Sequence, residues 1–150
     1  RHILEREVEN YQRLVDDNRA VGELNHSESS TLALDKLCLV VKKMYWDNND
    51  LRGEIELLNT PPGKIAQTLV EDGIKLGISS RGVGSVYKDG DYSVVGDDYL
   101  LISFDLVVDP STSNAFMLAE GKEIDFDIDS HLNSNEKINR LISSAFARLK

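Results

Sequence analysis

Apolar residues recur at helical spacing from the first turn of the chain. Ile3, Leu4, Val8, Tyr11, Leu14 and Val15 are separated by charged residues, which predicts an amphipathic helix over 2–16. Residues 17–25 turn polar and read as a connection that stops near Gly22. Leu37–Trp46 and Leu51–Leu58 are apolar or alternating runs on either side of Asp47-Asn48-Asn49-Asp50, the pattern of a β-hairpin. Thr60-Pro61-Pro62-Gly63 opens a second helix, with Thr60 as cap and Pro61 in the first turn. Ile65, Ala66, Leu69 and Val70 are its predicted buried face, and Gly73 ends it. The period then shortens. Ile74–Ser80, Ser85–Tyr87, Tyr92–Val95 and Tyr99–Val108 read as extended chain, with a turn at Lys88-Asp89-Gly90-Asp91 and a loop over 110–114. Ile138, Leu141, Ile142, Ala145, Phe146 and Leu149 make one stripe, which predicts a last helix over Asn135–Leu149. Strands in the middle with helices on the flanks give an α+β class built on a mainly antiparallel sheet or barrel.

Composition narrows the partners. The 150 residues suffice for a single domain over 1–150 with one core. A formal net charge of −9 disfavours nucleic acid and anionic membrane. No apolar stretch is long enough to span a bilayer. Cys38, the one cysteine, excludes a disulfide within the chain, which points to a reducing compartment. The chain begins at Arg1, already inside a helical pattern, which suggests that upstream sequence has been removed.

Three polar clusters interrupt the apolar pattern. Gly22-Glu23-Leu24-Asn25-His26 holds an imidazole among polar neighbours. His26 reads either as a loop histidine capping a turn or as a base of near-neutral pKa. Gly77-Ile78-Ser79-Ser80-Arg81-Gly82-Val83-Gly84-Ser85 joins a strand to two hydroxyls, a cation and glycines. Strand alternation puts Ser79 and Ser80 on opposite faces. Ile74, Leu76, Ile78 and Ser80 form the expected core face, leaving Ser79 facing outward, where a substrate can reach it. Phe104-Asp105-Leu106-Val107-Val108-Asp109-Pro110-Ser111 offers a carboxylate able to orient a histidine. Asp105 is preferred over Asp109, because an aspartate before proline more often starts a turn. Metals have little support, since His2, His26 and His131 are far apart. Asp125, Asp127, Asp129 and Glu136 approach an EF-hand spacing, but Ser130 replaces the turn glycine and no helix leads in. No cofactor motif is present; Gly82-Val83-Gly84 lacks the third glycine of a dinucleotide fingerprint.

Together with Arg1-His2-Ile3-Leu4-Glu5 and in this order, these blocks resemble the prohead core protein proteases of tailed bacteriophages, a group distantly related to herpesvirus assemblin. The match covers most of residues 1–115. The resemblance implies an assemblin-like fold and a serine endopeptidase with His26 as base, Ser79 as nucleophile, Ser80 as fallback and Asp105 as third member. It implies that Ser80, Arg81 and Gly82 help form the oxyanion and substrate site. Its substrates would be phage scaffold and capsid proteins inside the prohead, within the host cytoplasm. Such proteases cut after a glutamate with Leu or Ile two residues before it and a small residue after it. Leu118-Ala119-Glu120-Gly121 fits that pattern, so a self-cleavage site is expected between Glu120 and Gly121, making 121–150 a removable segment. The family pattern also has strand-forming sequence before the first helix, which this chain lacks. Two rival readings stand beside the protease. One is an inactive scaffold of the same fold that self-associates through the last helix; the other is a calcium-binding module.

Overall fold

The Asp47-Asn48-Asn49-Asp50 turn joins the longest strand among the described residues to its partner. Leu37–Asp47 (β2) pairs antiparallel with Asp50–Leu57 (β3), closed at Asp47 and Asp50. Asn48 takes a left-handed φ of 56° in the turn, which asparagine tolerates better than most residues. A register shift between Val41 and Lys43 lets Lys42 and Lys43 both face solvent before Met44 returns to the core. The computed structural model describes residues 2–90, 92–112, 114–118 and 144–148.

Val21–Glu23 (β1) adds to the free edge of β2, and Ser144–Arg148 (β8) adds to the free edge of β3. The sheet order is β1-β2-β3-β8, antiparallel throughout. Both edge strands correct the sequence reading. The polar connection over 17–25 contains β1, whose three residues are too few for alternation to register. The predicted last helix fails over 144–148, and its earlier residues lie outside the described ones. Helix propensities differ by only tenths of a kcal/mol per residue, and an open strand edge outweighs them.

Gly77–Val83 (β4) and Leu100–Val107 (β7) form a separate antiparallel ribbon. Ser79 lies opposite Asp105, and Arg81 opposite Ser103. The ribbon meets the main sheet at a parallel bridge between Leu24 and Leu106. Val86–Asp89 (β5) and Tyr92–Val95 (β6) make a small hairpin. No closed hydrogen-bonded barrel forms among the described residues, but the α+β class with antiparallel strands and flanking helices holds.

The helix His2–Asp16 (α1) buries Ile3, Tyr11 and Val15, and Tyr11 meets Phe104 of β7 edge-on at 5.3 Å. The helix Pro61–Glu71 (α2) starts as expected: the Thr60 hydroxyl accepts from Gly63 N at 3.1 Å. This cap sets a phase that turns Pro62, Gly63 and Ala66 inward and leaves Ile65 exposed, against the predicted face. None of the helices in the described residues is long and apolar enough to cross a membrane.

Candidate active site

The floor of the site follows from strand register. Side chains two apart on a strand share a face, so Ser79 and Arg81 of β4 lie beside Asp105 and Ser103 of β7. Ile78, Phe104 and Leu106 turn to the opposite face and enter the core. One face of this ribbon is therefore polar and buried, which requires that its groups satisfy one another.

The segment Gly22–His26 brings an imidazole over that floor. A Cβ on Gly22 would lie 1.9 Å from the Phe104 carbonyl oxygen, so only glycine lets β1 cross β7 this closely. Leu24 bridges to Leu106, and Asn25 N donates to Leu106 O at 2.8 Å. Asn25 then takes a φ of 68°, which turns the chain so that His26 folds back across β7 and β4.

His26 Nδ1 lies 2.9 Å from Asp105 Oδ2, and Nε2 lies 2.8 Å from Ser79 Oγ. An ionised carboxylate only accepts, so Nδ1 carries the proton and Nε2 is free to accept from the serine hydroxyl. Asp105 is fully buried, whereas the His26 side chain is 40% exposed. Ser79 is only 4% exposed. The expected outward-facing serine is thus covered, with His26 and Ser111 against its hydroxyl. Ser111 Oγ, on the exposed loop after β7, lies 3.4 Å from Ser79 Oγ.

Beneath the imidazole runs a buried ionic network. Arg81 Nε is 2.9 Å from Asp105 Oδ2, and Nη2 is 3.3 Å from Asp105 Oδ1 and 3.1 Å from Glu23 Oε2. Nη1 donates to Ser29 O at 3.0 Å and to both oxygens of Ser27. Asp105 Oδ1 also accepts from Glu23 N at 2.9 Å and Ser103 Oγ at 3.0 Å. Glu23 accepts from Ala33 N at 2.6 Å and Ser27 Oγ at 2.9 Å. Burial alone raises the Glu23 carboxyl, but these bonds and the Arg81 charge outweigh it and hold it below the ordinary carboxylate range. Burial, reinforced by Asp105 and Glu23, pushes the nearby Cys38 thiol up to about 12.

Several expected roles change. Arg81 was expected at the oxyanion or substrate, but its guanidinium is spent on Asp105, Glu23 and the 27–29 loop. Ser80 faces the other way, lining a small cavity under α1 with Tyr99, Leu101 and Phe104, so it is no substitute nucleophile. Gly82 packs against the Tyr99 ring, where a Cβ would approach within 2.4 Å; that contact by itself requires a glycine here. Asp109 is exposed and makes no part of the network. Glu23, Ser27, Ser103 and Ser111 were missed. Alternation from Ser79 would have found Arg81 on the site face, and alternation from Asp105 would have found Ser103, but nothing local marks Glu23 as buried. Glu120, Gly121 and the acidic run over 125–136 lie outside the described residues. Among the described residues no group of three or more His, Cys, Asp or Glu side chains is arranged to hold a metal ion.

Three comparisons bear on this arrangement. The sequence profile of a family described as prohead core protein serine protease matches residues 1–125. Over 122 residues the chain is 29% identical to the prohead core protein protease of Enterobacteria phage T4, covering 78% of this chain. It spans only 58% of that protein's length. The solved structure of the bacteriophage T4 capsid assembly protease superposes with a TM-score of 0.66 at 28% identity, covering 71% of this chain and 67% of that one.

Proposed function

This chain belongs to the prohead core protein serine protease family, and from that premise we propose that it is a capsid-maturation endopeptidase with Ser79 as nucleophile, His26 as base and Asp105 as orienter. The observation that carries the reading is the single imidazole whose two nitrogens bond Asp105 and Ser79 at 2.9 and 2.8 Å. Nucleophile, base and orienter in this order are what acyl transfer by serine requires.

In the proposed reaction His26 Nε2 takes the Ser79 proton as Oγ bonds to the peptide carbonyl carbon. The carbonyl π electrons move to oxygen, giving a tetrahedral oxyanion. Asp105 stabilises the imidazolium so formed. The C–N bond then breaks, the leaving nitrogen takes the proton from Nε2, and water repeats the sequence to free Ser79. The oxyanion needs donors from the 79–82 backbone or from the Ser111 hydroxyl beside Ser79.

The substrates we propose are phage scaffold and capsid proteins within the prohead of an infected cell. Cutting falls after Glu in a (Leu/Ile)-x-Glu sequence before a small residue, and self-cleavage falls between Glu120 and Gly121. A fluorophosphonate probe tests the core of this reading. We expect mass labelling at Ser79, retained in Ser80→Ala and absent in Ser79→Ala and His26→Ala. Labelling that survives Ser79→Ala moves the nucleophile to another residue and overturns the assignment, and none in the parent chain leaves the inactive scaffold of the same fold.

A further inference from the structure

The buried network under His26 has a charge count that the His26–Ser79–Asp105 trio does not explain. Glu23 is 0% exposed, Arg81 7% and Asp105 0%. Two carboxylates and one guanidinium sum to −1. A lone Arg81–Asp105 pair would sum to zero, and the imidazolium formed during proton transfer would then sit beside a guanidinium with no negative charge left over. Charges in a poorly solvated region interact far more strongly than in water.

We infer that Glu23 and Arg81 are positioning residues for the base: Glu23 offsets the guanidinium, so that Asp105 keeps its charge for the His26 imidazolium, while Arg81 fixes Asp105 and the chain that follows His26. The inference rests on the protease reading but assigns residues which that reading leaves without a role. Arg81 reaches both Asp105 oxygens with Nε and Nη2, the two-point grip that a planar guanidinium gives a carboxylate. Nη1 is bound to Ser27 and Ser29, so the loop carrying His26 is tied to the aspartate its ring must meet. Glu23 closes the assembly from β1, bound by Arg81, Ser27 and Ala33 N.

Among the described residues, two other titratable groups couple to this network, and neither carries a charge near neutral pH. The Tyr11 phenol, from α1, is raised by burial and by Asp105. The Cys38 thiol, from β2, is pushed up to about 12 by burial, Asp105 and Glu23. Among the described residues the charge balance around His26 therefore depends on Glu23 from β1, Arg81 from β4 and Asp105 from β7.

The test is the titration of the His26 imidazole by NMR in the full chain, with the pH profile of cleavage of a Leu-x-Glu-Gly peptide recorded alongside. Glu23→Gln removes the offset and keeps the size of the side chain. We expect the His26 midpoint to fall by about half to one pH unit, with kcat down about tenfold and KM little changed. Replacing both partners, Glu23→Gln with Arg81→Met, restores a count of −1, and the midpoint should return to within about 0.2 units of the parent, within the scale of such charge effects. A purely structural Glu23 would lower the folded fraction and leave the midpoint where it was. An unmoved midpoint in folded Glu23→Gln overturns the inference, as does a double variant that keeps the shift. Should Glu23→Gln not fold, the double variant, in which both members of the buried ion pair are replaced by neutral groups, is compared with Arg81→Met, which keeps Glu23 and a count of −2. A double variant that titrates about half to one pH unit below Arg81→Met supports the offset, and equal midpoints reject it. The titration needs no substrate, so its failure is separable from failure of Ser79 as the nucleophile.

Discussion

Glu7 and Glu23 are buried with nearly the same set of partners, yet only one of them lies next to the proposed chemistry. Glu7, on α1, accepts from Leu101 N at 3.0 Å, from Arg6 Nε at 3.0 Å and from Asn10 Nδ2 at 3.3 Å. Glu23, on β1, accepts from Ala33 N, Ser27 Oγ and Arg81. Each therefore joins a backbone N–H, an arginine and a third polar side chain. They part at the arginine. The Arg6 side chain is 44% exposed, and its remaining bonds go to the carbonyls of Asp97 and Tyr99. Arg81 is buried, and its remaining bonds go to Asp105 and the loop after His26. One assembly ends at the surface and latches α1 onto β7; the other continues to an imidazole. What separates a latch from a relay is where the arginine's second set of donors points.

The largest effects should fall at the end of the relay. Ser79→Ala and His26→Ala should each lower kcat by about 10⁴-fold or more, as removal of a triad member does elsewhere. Their thermal midpoints should stay near that of the parent. Ser80→Ala, on the opposite face of β4, should stay within a few-fold of full activity. If Ser80→Ala silences the chain and Ser79→Ala does not, the two faces of the ribbon have been assigned the wrong way round.

Glu7→Gln should do the opposite. It leaves the partly buried donors at Leu101 N and Arg6 poorly matched to an uncharged amide, which should cost about 1–2 kcal/mol of stability. Denaturant unfolding would measure that loss. The pH profile of cleavage per folded molecule should not move. A shift in that profile would make Glu7 part of the relay and erase the contrast with Glu23.

How much of this was legible beforehand depended on the range over which each signal acts. The α1 stripe, the β2–β3 hairpin and the Thr60 cap are local, and they stand as the pattern implied. His26, Ser79 and Asp105 could be singled out because hydroxyl, imidazole and carboxylate are chemically conspicuous in otherwise apolar or glycine-rich settings. Arg81 was conspicuous too, but its role was misread, since nothing in Ser80-Arg81-Gly82 says that two carboxylates wait across the sheet. Glu23 looked like one more charge in a polar loop. Its burial is decided by Ala33, Ser27 and Arg81, ten, four and 58 positions away. The strand at 144–148 was hidden for the same reason, because its partner edge on β3 lies some ninety residues upstream.

Acid should strain both assemblies together. Burial raises the Glu7 and Glu23 carboxyls, but in each case the hydrogen bonds and the arginine outweigh it, and both sit below the ordinary value of 4.5. A depressed carboxyl adds stability above the unfolded-state value, and that contribution is lost as pH falls through the folded one. The unfolded chain binds more protons in this window, so stability rises with pH there. Unfolding free energy measured from pH 6 down to pH 3 should fall steeply below about pH 4.5, near the ordinary glutamate value. The fall should be shallower in Glu7→Gln, which removes one of the two groups, and an identical slope in parent and variant would contradict the depressed Glu7 carboxyl.

The smallest effect should come from the latch arginine. Arg6 is partly exposed, so water competes for each of its bonds and salt screens its attraction to Glu7. Arg6→Ala should cost about 0.5–1 kcal/mol, in the range of exposed ion pairs and ordinary hydrogen bonds. Part of that cost should disappear in high salt. Glu7 keeps Leu101 N and Asn10 as donors in this variant, so its carboxylate is not stranded. Arg81 differs in each respect, since removing it alone would leave two buried carboxylates facing each other without a cation. A double-mutant cycle between Arg6→Ala and Glu7→Gln should therefore return a coupling of only a few tenths of a kcal/mol, as for exposed pairs. A coupling above about 2 kcal/mol would be the size of a buried, desolvated pair. It would show that α1 is held by the same kind of ion network that lies beneath His26.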